Sequence, residues 1–250
     1  MPNIKLILEY NGQNFHGWQV QPEVRTIQGE LHRVLEMCLG QKVRGLTASG
    51  RTDAGVHAAA QVVNFHVDAL PDFGKLVRSV SSILKNEVAI KDACIVSDSF
   101  HAMRDAVRKQ YSYHIYYRPH PPVLDYGRVW HISGALDVER MATEAKLLIG
   151  THDFTTFQGS GCGARSTIKT IYESELLVHP PYLTYRVVGS GFLKQMVRNI
   201  VGTLVALGRD RYGETNIEEM LEWKDRRKAA ETAQPYGLCL DWVEYSEHTS

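Results

Sequence analysis

The stretch Thr47-Ala48-Ser49-Gly50-Arg51-Thr52-Asp53-Ala54-Gly55-Val56-His57-Ala58 sets one carboxylate, one guanidinium and two glycines in a polar loop between apolar segments. It is followed by Val62-Val63-Asn64-Phe65-His66-Val67, in which Val63, Phe65 and Val67 share one face, so the loop sits at the end of a strand. Gly50 and Gly55 free the backbone on either side of Asp53 to turn sharply or to approach a ligand. Read by itself, the stretch is either an active-site loop or a turn capped by an aspartate.

Working outward, Ile4, Leu6, Leu8 and Tyr10 alternate along a first strand that breaks at Asn11-Gly12. Ile27, Leu31, Val34, Leu35 and Cys38 then lie on one helical face, with Thr26 as N-cap and a stop near Gly40. After the Asp53 loop and its strand, Phe73, Val77, Val80 and Leu84 mark a second helix and Val88 to Val96 another strand. Tyr111, Tyr113, Ile115 and Tyr117 open a second series. A helix carrying Val138, Met141, Ala145, Leu148 and Ile149 follows, then a hairpin of residues 170–178 and 183–188 around His179-Pro180-Pro181, then a helix over 192–207. The similar order of elements implies an α+β chain of two units with antiparallel sheets and helices on one face, divided near Met103 into residues 1–103 and 104–250. The alternative is one irregular α/β domain.

Two hundred and fifty residues, 44% hydrophobic, suit a globular protein with a substantial core, and 28 basic residues balance 28 acidic ones. The charge is unevenly placed. Residues 158–211 hold seven Lys or Arg against three acids, whereas the tail after Leu240 has Asp241, Glu244 and Glu247 and no Lys or Arg. The four cysteines, at 38, 94, 162 and 239, are too far apart for a Cys-x-x-Cys pair, no signal-like segment opens the chain and no apolar run reaches membrane-spanning length. A cytoplasmic protein without membrane association is expected.

Among the candidate chemistries, metal catalysis is disfavoured because the eleven histidines include no His-x-x-x-His pair beside an acid. No Gly-x-Ser-x-Gly elbow is present, and a glycosidase needs a second carboxylate that the Asp53 loop does not offer. Tyr111 follows Arg108-Lys109-Gln110, which brings a ring and two cations to one sheet end, a mixture suited to stacking a base and holding phosphate. In the last long helix Leu193, Val197, Ile200, Leu204 and Leu207 form the apolar stripe, and Lys194 and Arg198 lie four apart on an adjoining face, which puts Arg198 at the edge of burial. The Gln158–Ser166 loop is glycine-rich without P-loop or dinucleotide spacing and is expected to be mobile.

Four separated segments carry a resemblance over almost the whole chain. Gly50-Arg51-Thr52-Asp53-Ala54-Gly55-Val56-His57-Ala58, Lys109-Gln110-Tyr111-Ser112-Tyr113, Gly191 to Gly202 and Ala229 to Leu238 resemble, in order, the motifs of the TruA family of tRNA pseudouridine synthases. Tyr10-Asn11-Gly12 with Phe15 to Gln19 is similar to its N-terminal motif, with Asn11 where aspartate is usual; Lys169 stands where the family has arginine, and Glu231 where proline is frequent. The resemblance implies two ferredoxin-like (RRM-like) halves with antiparallel sheets joined across a central catalytic cleft. It implies isomerisation of uridine to pseudouridine at positions 38–40 of the tRNA anticodon stem-loop by a homodimer, without cofactor or metal. It also assigns roles: Asp53 as the catalytic nucleophile, Arg51 holding the nucleotide out, Tyr111 on the target uridine, and Arg198 pairing with Asp53. The rival from another class is a catalytically silent RRM-like tRNA-binding module.

Overall fold

A computed structural model describes residues 1–246; Glu247 of the acidic tail lies outside them. The chain forms two compact units, one of Met1–Val107 with the chain from Cys239 onward, the other of Arg108–Leu238. Among the described residues no helix is long and apolar enough to cross a membrane.

In the first unit β1 (Asn3–Tyr10) leads to α1 (Ile27–Leu39), then β2 (Arg44–Ala48), β3 (His57–His66), α2 (Phe73–Ile83) and β4 (Val88–Val96). Strand β1 pairs antiparallel with both β3 and β4, and β2 pairs antiparallel with β3. Ile4, Leu6, Leu8 and Tyr10 are all buried, as their alternation requires. Helix α1 starts where the Thr26 hydroxyl accepts from the Gly29 N–H at 3.3 Å and ends at Gly40 in the left-handed conformation, φ 62°. Its stripe is Ile27, Leu31, Val34 and Leu35, with Cys38 only half-buried. Helix α2 is buried along Leu76, Val80 and Leu84, one row four residues apart; Phe73 and Val77, expected in the stripe, flank it instead.

The sheet of this unit is covered on its second face too. Val62, Val96, Phe100 and Ala102 pack there with Ile7, Cys94, Val243 and Tyr245. Asn3 and Asn64 satisfy that segment: the Asn3 Nδ2 donates to the Ser97 and Phe100 carbonyls at 2.9 Å each, and the Asn64 Oδ1 accepts from the Ala102 N–H at 2.9 Å. The C-terminal strand Leu238–Tyr245 runs parallel to β3, with Cys239 opposite His57 and Leu240 opposite Ala58. A single cut near Met103 leaves this strand with the second half; its ladder with β3 puts it with the first.

The second unit runs β5 (Ala106–Tyr117), β6 (Trp130–Ile132), α3 (Val138–Lys146), β7 (Gly150–Asp153), β8 (Ile168–His179), β9 (Tyr182–Gly189), α4 (Met196–Gly208) and α5 (Ile217–Glu222). Antiparallel ladders join β5 to β9, β9 to β8 and β8 to β7, and β6 lies parallel to β5. Tyr111, Tyr113 and Ile115 face inward opposite Val187, Tyr185 and Leu183. In α3, Met141 and Ala145 are buried as expected, while Ile149, beyond the helix end, is exposed. The buried Glu144 carboxylate accepts the Ile217 N–H at 2.8 Å and so caps the first turn of α5.

Helix α4 departs most from expectation. It begins at Met196, not at residue 192, after Gln195 takes a left-handed conformation at φ 59°. Every residue of it is buried, including Arg198, Asn199 and Thr203, so it is a central helix rather than an amphipathic one. Such close approach needs small residues. A methyl group on Gly202 would run into the Glu231 carbonyl, and one on Gly208 would meet the Met141 side chain at 2.8 Å. Gly202→Ala should therefore lower stability by about 1–3 kcal/mol, read as a lower urea midpoint, because neighbouring backbone yields less readily than a side chain. An unchanged midpoint would mean that the 231–233 segment moves aside freely.

Candidate active site

The Asp53 loop joins β2 to β3, and its backbone is held from two sides. On one side the turn after β1 presses against it: the Trp18 N–H donates to the Thr52 carbonyl at 3.0 Å and the Gly55 N–H to the Phe15 carbonyl at 3.3 Å. This approach requires Gly17, whose φ is +88° and whose missing Cβ would sit 2.9 Å from the Thr52 carbonyl oxygen and 3.1 Å from the Ala54 nitrogen. Gly12 is constrained likewise, since a Cβ there would strike the Val56 backbone. The aromatic motif Phe15 to Trp18 is thus a buttress for the loop, with Phe15 and Trp18 both buried.

On the other side lies a set of buried polar side chains. The Gln61 Nε2 donates to the Gly50 carbonyl at 2.9 Å and to the Tyr10 hydroxyl oxygen at 3.3 Å, and its Oε1 accepts from the Ser49 hydroxyl at 2.6 Å. The Tyr10 hydroxyl and the Thr52 Oγ1 share a hydrogen bond of 2.8 Å. Because a carbonyl takes no other role than acceptor, Gly50 fixes which end of the Gln61 amide faces it. Gln61 donates to the Tyr10 oxygen, whose hydroxyl also shares a hydrogen bond with Thr52. Burial pushes the Tyr10 hydroxyl up to about 12, against the opposing hydrogen bonds of Thr52 and Gln61, so it stays a neutral donor at physiological pH. Asp53 itself is half-buried and Arg51 exposed, with the Val56 N–H donating to the Asp53 carbonyl at 3.2 Å.

Gln61 was not named from the sequence, and Tyr10, Gly17 and Thr52 were named only as members of a strand or motif, with no role given to them. Strand β3 begins at His57, five residues before the apolar run that announced it, and Gln61 lies buried inside it. A glutamine flanked by alanines and valines in a strand was the available signal.

Tyr111 and Arg198 belong to the second unit. The Tyr111 ring is buried and meets Phe192 edge-on, ring centres 5.2 Å apart. Two residues on, the Tyr113 hydroxyl donates to the Gln234 carbonyl at 2.6 Å; burial raises it strongly, and the positive charge of Arg198 opposes that rise. Arg198 donates from Nε to the Ala233 carbonyl at 2.8 Å, and the Ala233 N–H returns to the Arg198 carbonyl at 3.1 Å. Tyr111 and Tyr113 share the inner face of β5, and the Arg198 charge acts on the Tyr113 hydroxyl. Lys109, on the same face of β5, is lowered from an ordinary 10.5 to about 8, mainly by burial and further by Lys169. Asp53 and Arg51 lie in the first unit, so the structure groups the four assigned residues as two and two.

The first part of the glycine-rich loop is hydrogen-bonded to Lys194 at the entry of α4, while residues 163–166 are exposed. Lys194 accepts the Gly159 N–H at its carbonyl, 2.8 Å, donates from Nζ to the Ser160 carbonyl, 2.8 Å, and offers its N–H to the Cys162 sulfur at 3.5 Å. Among the described residues no group of three or more His, Cys, Asp or Glu is arranged to hold a metal ion.

A family model described as tRNA pseudouridine synthase matches residues 145–246. Among curated relatives, tRNA pseudouridine synthase A of Geobacter sp. (strain M21) is 39% identical over 248 residues, 99% of this chain and 100% of its own. The protein of the same name from Maridesulfovibrio salexigens is 41% identical over 251 residues, 99% of this chain and 92% of its own. That of Bacillus subtilis (strain 168) is 39% identical over 246 residues, 98% and 99% of the two chains. A solved structure titled Crystal Structure of a Cbf5-Nop10-Gar1 Complex aligns with 96% of this chain and 59% of its own at a TM-score of 0.41 and 11% identity, too loose a likeness to bear on the fold. Identity near 40% along essentially the whole chain leaves one conclusion: the chain belongs to the tRNA pseudouridine synthase A family.

Proposed function

We propose that this pseudouridine synthase isomerises uridine at positions 38–40 of the tRNA anticodon stem-loop, in the cytoplasm, as a homodimer, with Asp53 as its nucleophile. The observation that carries the reading is a lone carboxylate on a loop braced from both sides by buried groups, in a chain of this family. The strand order of the first unit, β4-β1-β3 with β2 on the far edge of β3, supports reading it as ferredoxin-like, and β5-β9-β8 around α3 and α4 supports the same for the second.

The reaction breaks the C1′–N1 bond, turns the uracil and joins C1′ to C5, with a proton lost from C5 and one gained at N1. No group departs, so no second carboxylate is needed to protonate a leaving group, unlike glycoside hydrolysis. The target base must leave the stack first, at a few kcal/mol. Arg51, exposed beside Asp53, is the residue to hold the extruded nucleotide, and the Tyr111 ring to receive the uracil. Arg198 supplies the guanidinium that the family pairs with the aspartate. The basic stretch around Arg165, Lys169, Lys194 and Arg209 serves the phosphates.

Asp53→Asn should abolish pseudouridine formation while tRNA affinity stays unchanged or tightens, since the amide keeps the shape and loses only the charge. Pseudouridine mapping of the treated tRNA by mass spectrometry, with the protein checked for deamidation, decides it: substantial turnover would make Asp53 a turn residue. If the wild type binds tRNA and forms no pseudouridine, the silent binding module replaces the enzyme.

Tyr111→Phe should keep more activity than Tyr111→Ala if the ring stacks on uracil, a contact worth about 1–3 kcal/mol per base. Equal inactivity of the two at saturating tRNA points to the hydroxyl and to proton transfer instead. Affinity for tRNA should fall steeply with salt in both variants, as phosphate contacts dictate.

A further inference from the structure

We propose that the buried hydrogen-bonded chain Gln61–Tyr10–Thr52 is the positioning device of Asp53, fixing the loop backbone on both sides of Arg51 so that the carboxylate stands in one place. This rests on the reading of Asp53 as the nucleophile. Gln61 holds the Gly50 carbonyl and, through the Tyr10 hydroxyl, the Thr52 side chain; Gly50 and Thr52 are the two neighbours of Arg51, and Thr52 directly precedes Asp53. Ser49, the first residue after β2, extends the chain, and the Ser49 N–H binds the Val62 carbonyl at 2.8 Å. The members are fully enclosed, Gln61 and Ser49 at 0% exposure and Thr52 at 6%.

The chemistry of these residues argues for geometry over mere cohesion. Apolar side chains of like volume fill such a space without desolvating an amide and three hydroxyls, and buried polar groups are tolerated only when each finds its partner. Here each does: Gln61 gives its two amide hydrogens to Gly50 and Tyr10, and the Tyr10 and Thr52 hydroxyls share one hydrogen bond. A loop held this way has one conformation where an apolar contact permits several. Arg51 and Ala54 are exposed, and this anchor and the Gly17 buttress opposite hold the loop backbone from its two inner sides.

The test uses the full-length protein with Thr52→Val, which keeps the shape and drops the hydroxyl, Thr52→Ser, which keeps the hydroxyl, and Tyr10→Phe, which keeps the ring against Trp18. Single-turnover rates at saturating protein, from release of the C5 hydrogen of labelled tRNA, are compared with tRNA Kd and with the folded fraction by circular dichroism. Thr52→Val and Tyr10→Phe should each slow the reaction on the order of tenfold to a hundredfold with Kd unchanged, the scale of a small misplacement of a reacting group. Thr52→Ser should restore the rate, and the Tyr10→Phe/Thr52→Val double variant should be no slower than the slower single one, since Tyr10→Phe already removes the bond that Thr52→Val breaks. Wild-type rates in both single variants beside an inactive Asp53→Asn overturn the proposal, as does a loss of rate that only tracks the folded fraction. If Thr52→Val does not fold, Tyr10→Phe decides alone. An active Asp53→Asn removes the premise itself, and is recognised separately from a failure of the relay.

Discussion

Strand β3 has two edges and three partners, and the first unit is arranged around that shortage. One edge is taken along its length by β1, from Ala58 to His66. The other is divided: β2 pairs with Val63 to His66, and the C-terminal strand with His57 and Ala58. The chain entering from β2 must therefore leave the ladder near Val62 to make room, and the loop carrying Asp53 is what it makes there. The loop's backbone polar groups, cut off from the ladder, find partners in Gln61, Trp18 and Phe15 instead. The Asp53 loop and the satisfaction of buried backbone are one constraint seen twice.

The second unit rests on a different necessity. Helix α4 is enclosed on all sides, so every polar group it carries must be met inside the protein. Asn199 donates to the Phe157 carbonyl at 2.7 Å and accepts from Arg226 and Thr232, while Thr203 turns back to the Asn199 carbonyl at 2.9 Å. Arg198 takes the Ala233 carbonyl, which also anchors the 231–233 segment against Gly202. A guanidinium enclosed in this way is held in place before any substrate arrives, and its charge reaches the inner face of β5 at Tyr113.

Much of this was legible in the sequence, and the parts that were not share a cause. Strand β1, the inward row Tyr111, Tyr113, Ile115 and the Thr26 to Gly40 bounds of α1 follow from period and capping, which are local. The parallel ladder of the C-terminal strand with β3 joins residues far apart in the chain and leaves no local trace. Helix α4 looked amphipathic because Lys194 and Arg198 sit four apart, yet Lys194 precedes the helix and Arg198 is buried inside it. Strand β2 was absorbed into the loop, and β3 was read short because Ala58-Ala59-Ala60-Gln61 has little strand character. The motifs named Asp53, Tyr111, Arg198 and Arg51 as candidates; they contain Thr52, Tyr10 and Gly17 but did not show that these stand behind Asp53, and they omit Gln61.

Those groups explain why so spare a site suffices on the proposed reading. When nothing leaves and no ion assists, what one carboxylate contributes depends on where it stands relative to C1′ or the uracil ring. Positional accuracy is then the quantity that folding must supply. A glycine-bounded loop by itself supplies the opposite, since Gly50 and Gly55 widen the conformations open to it. The resolution is to let the glycines permit the close backbone approach and have buried, direction-specific hydrogen bonds select one conformer among those permitted. That division of labour needs a donor with two hydrogens at the hub, which glutamine provides and glutamate does not. It also needs a hydroxyl that stays protonated, which burial gives Tyr10. The loop's freedom and its fixity thus come from different residues, and of the second kind only Thr52 lies in the Asp53 motif itself.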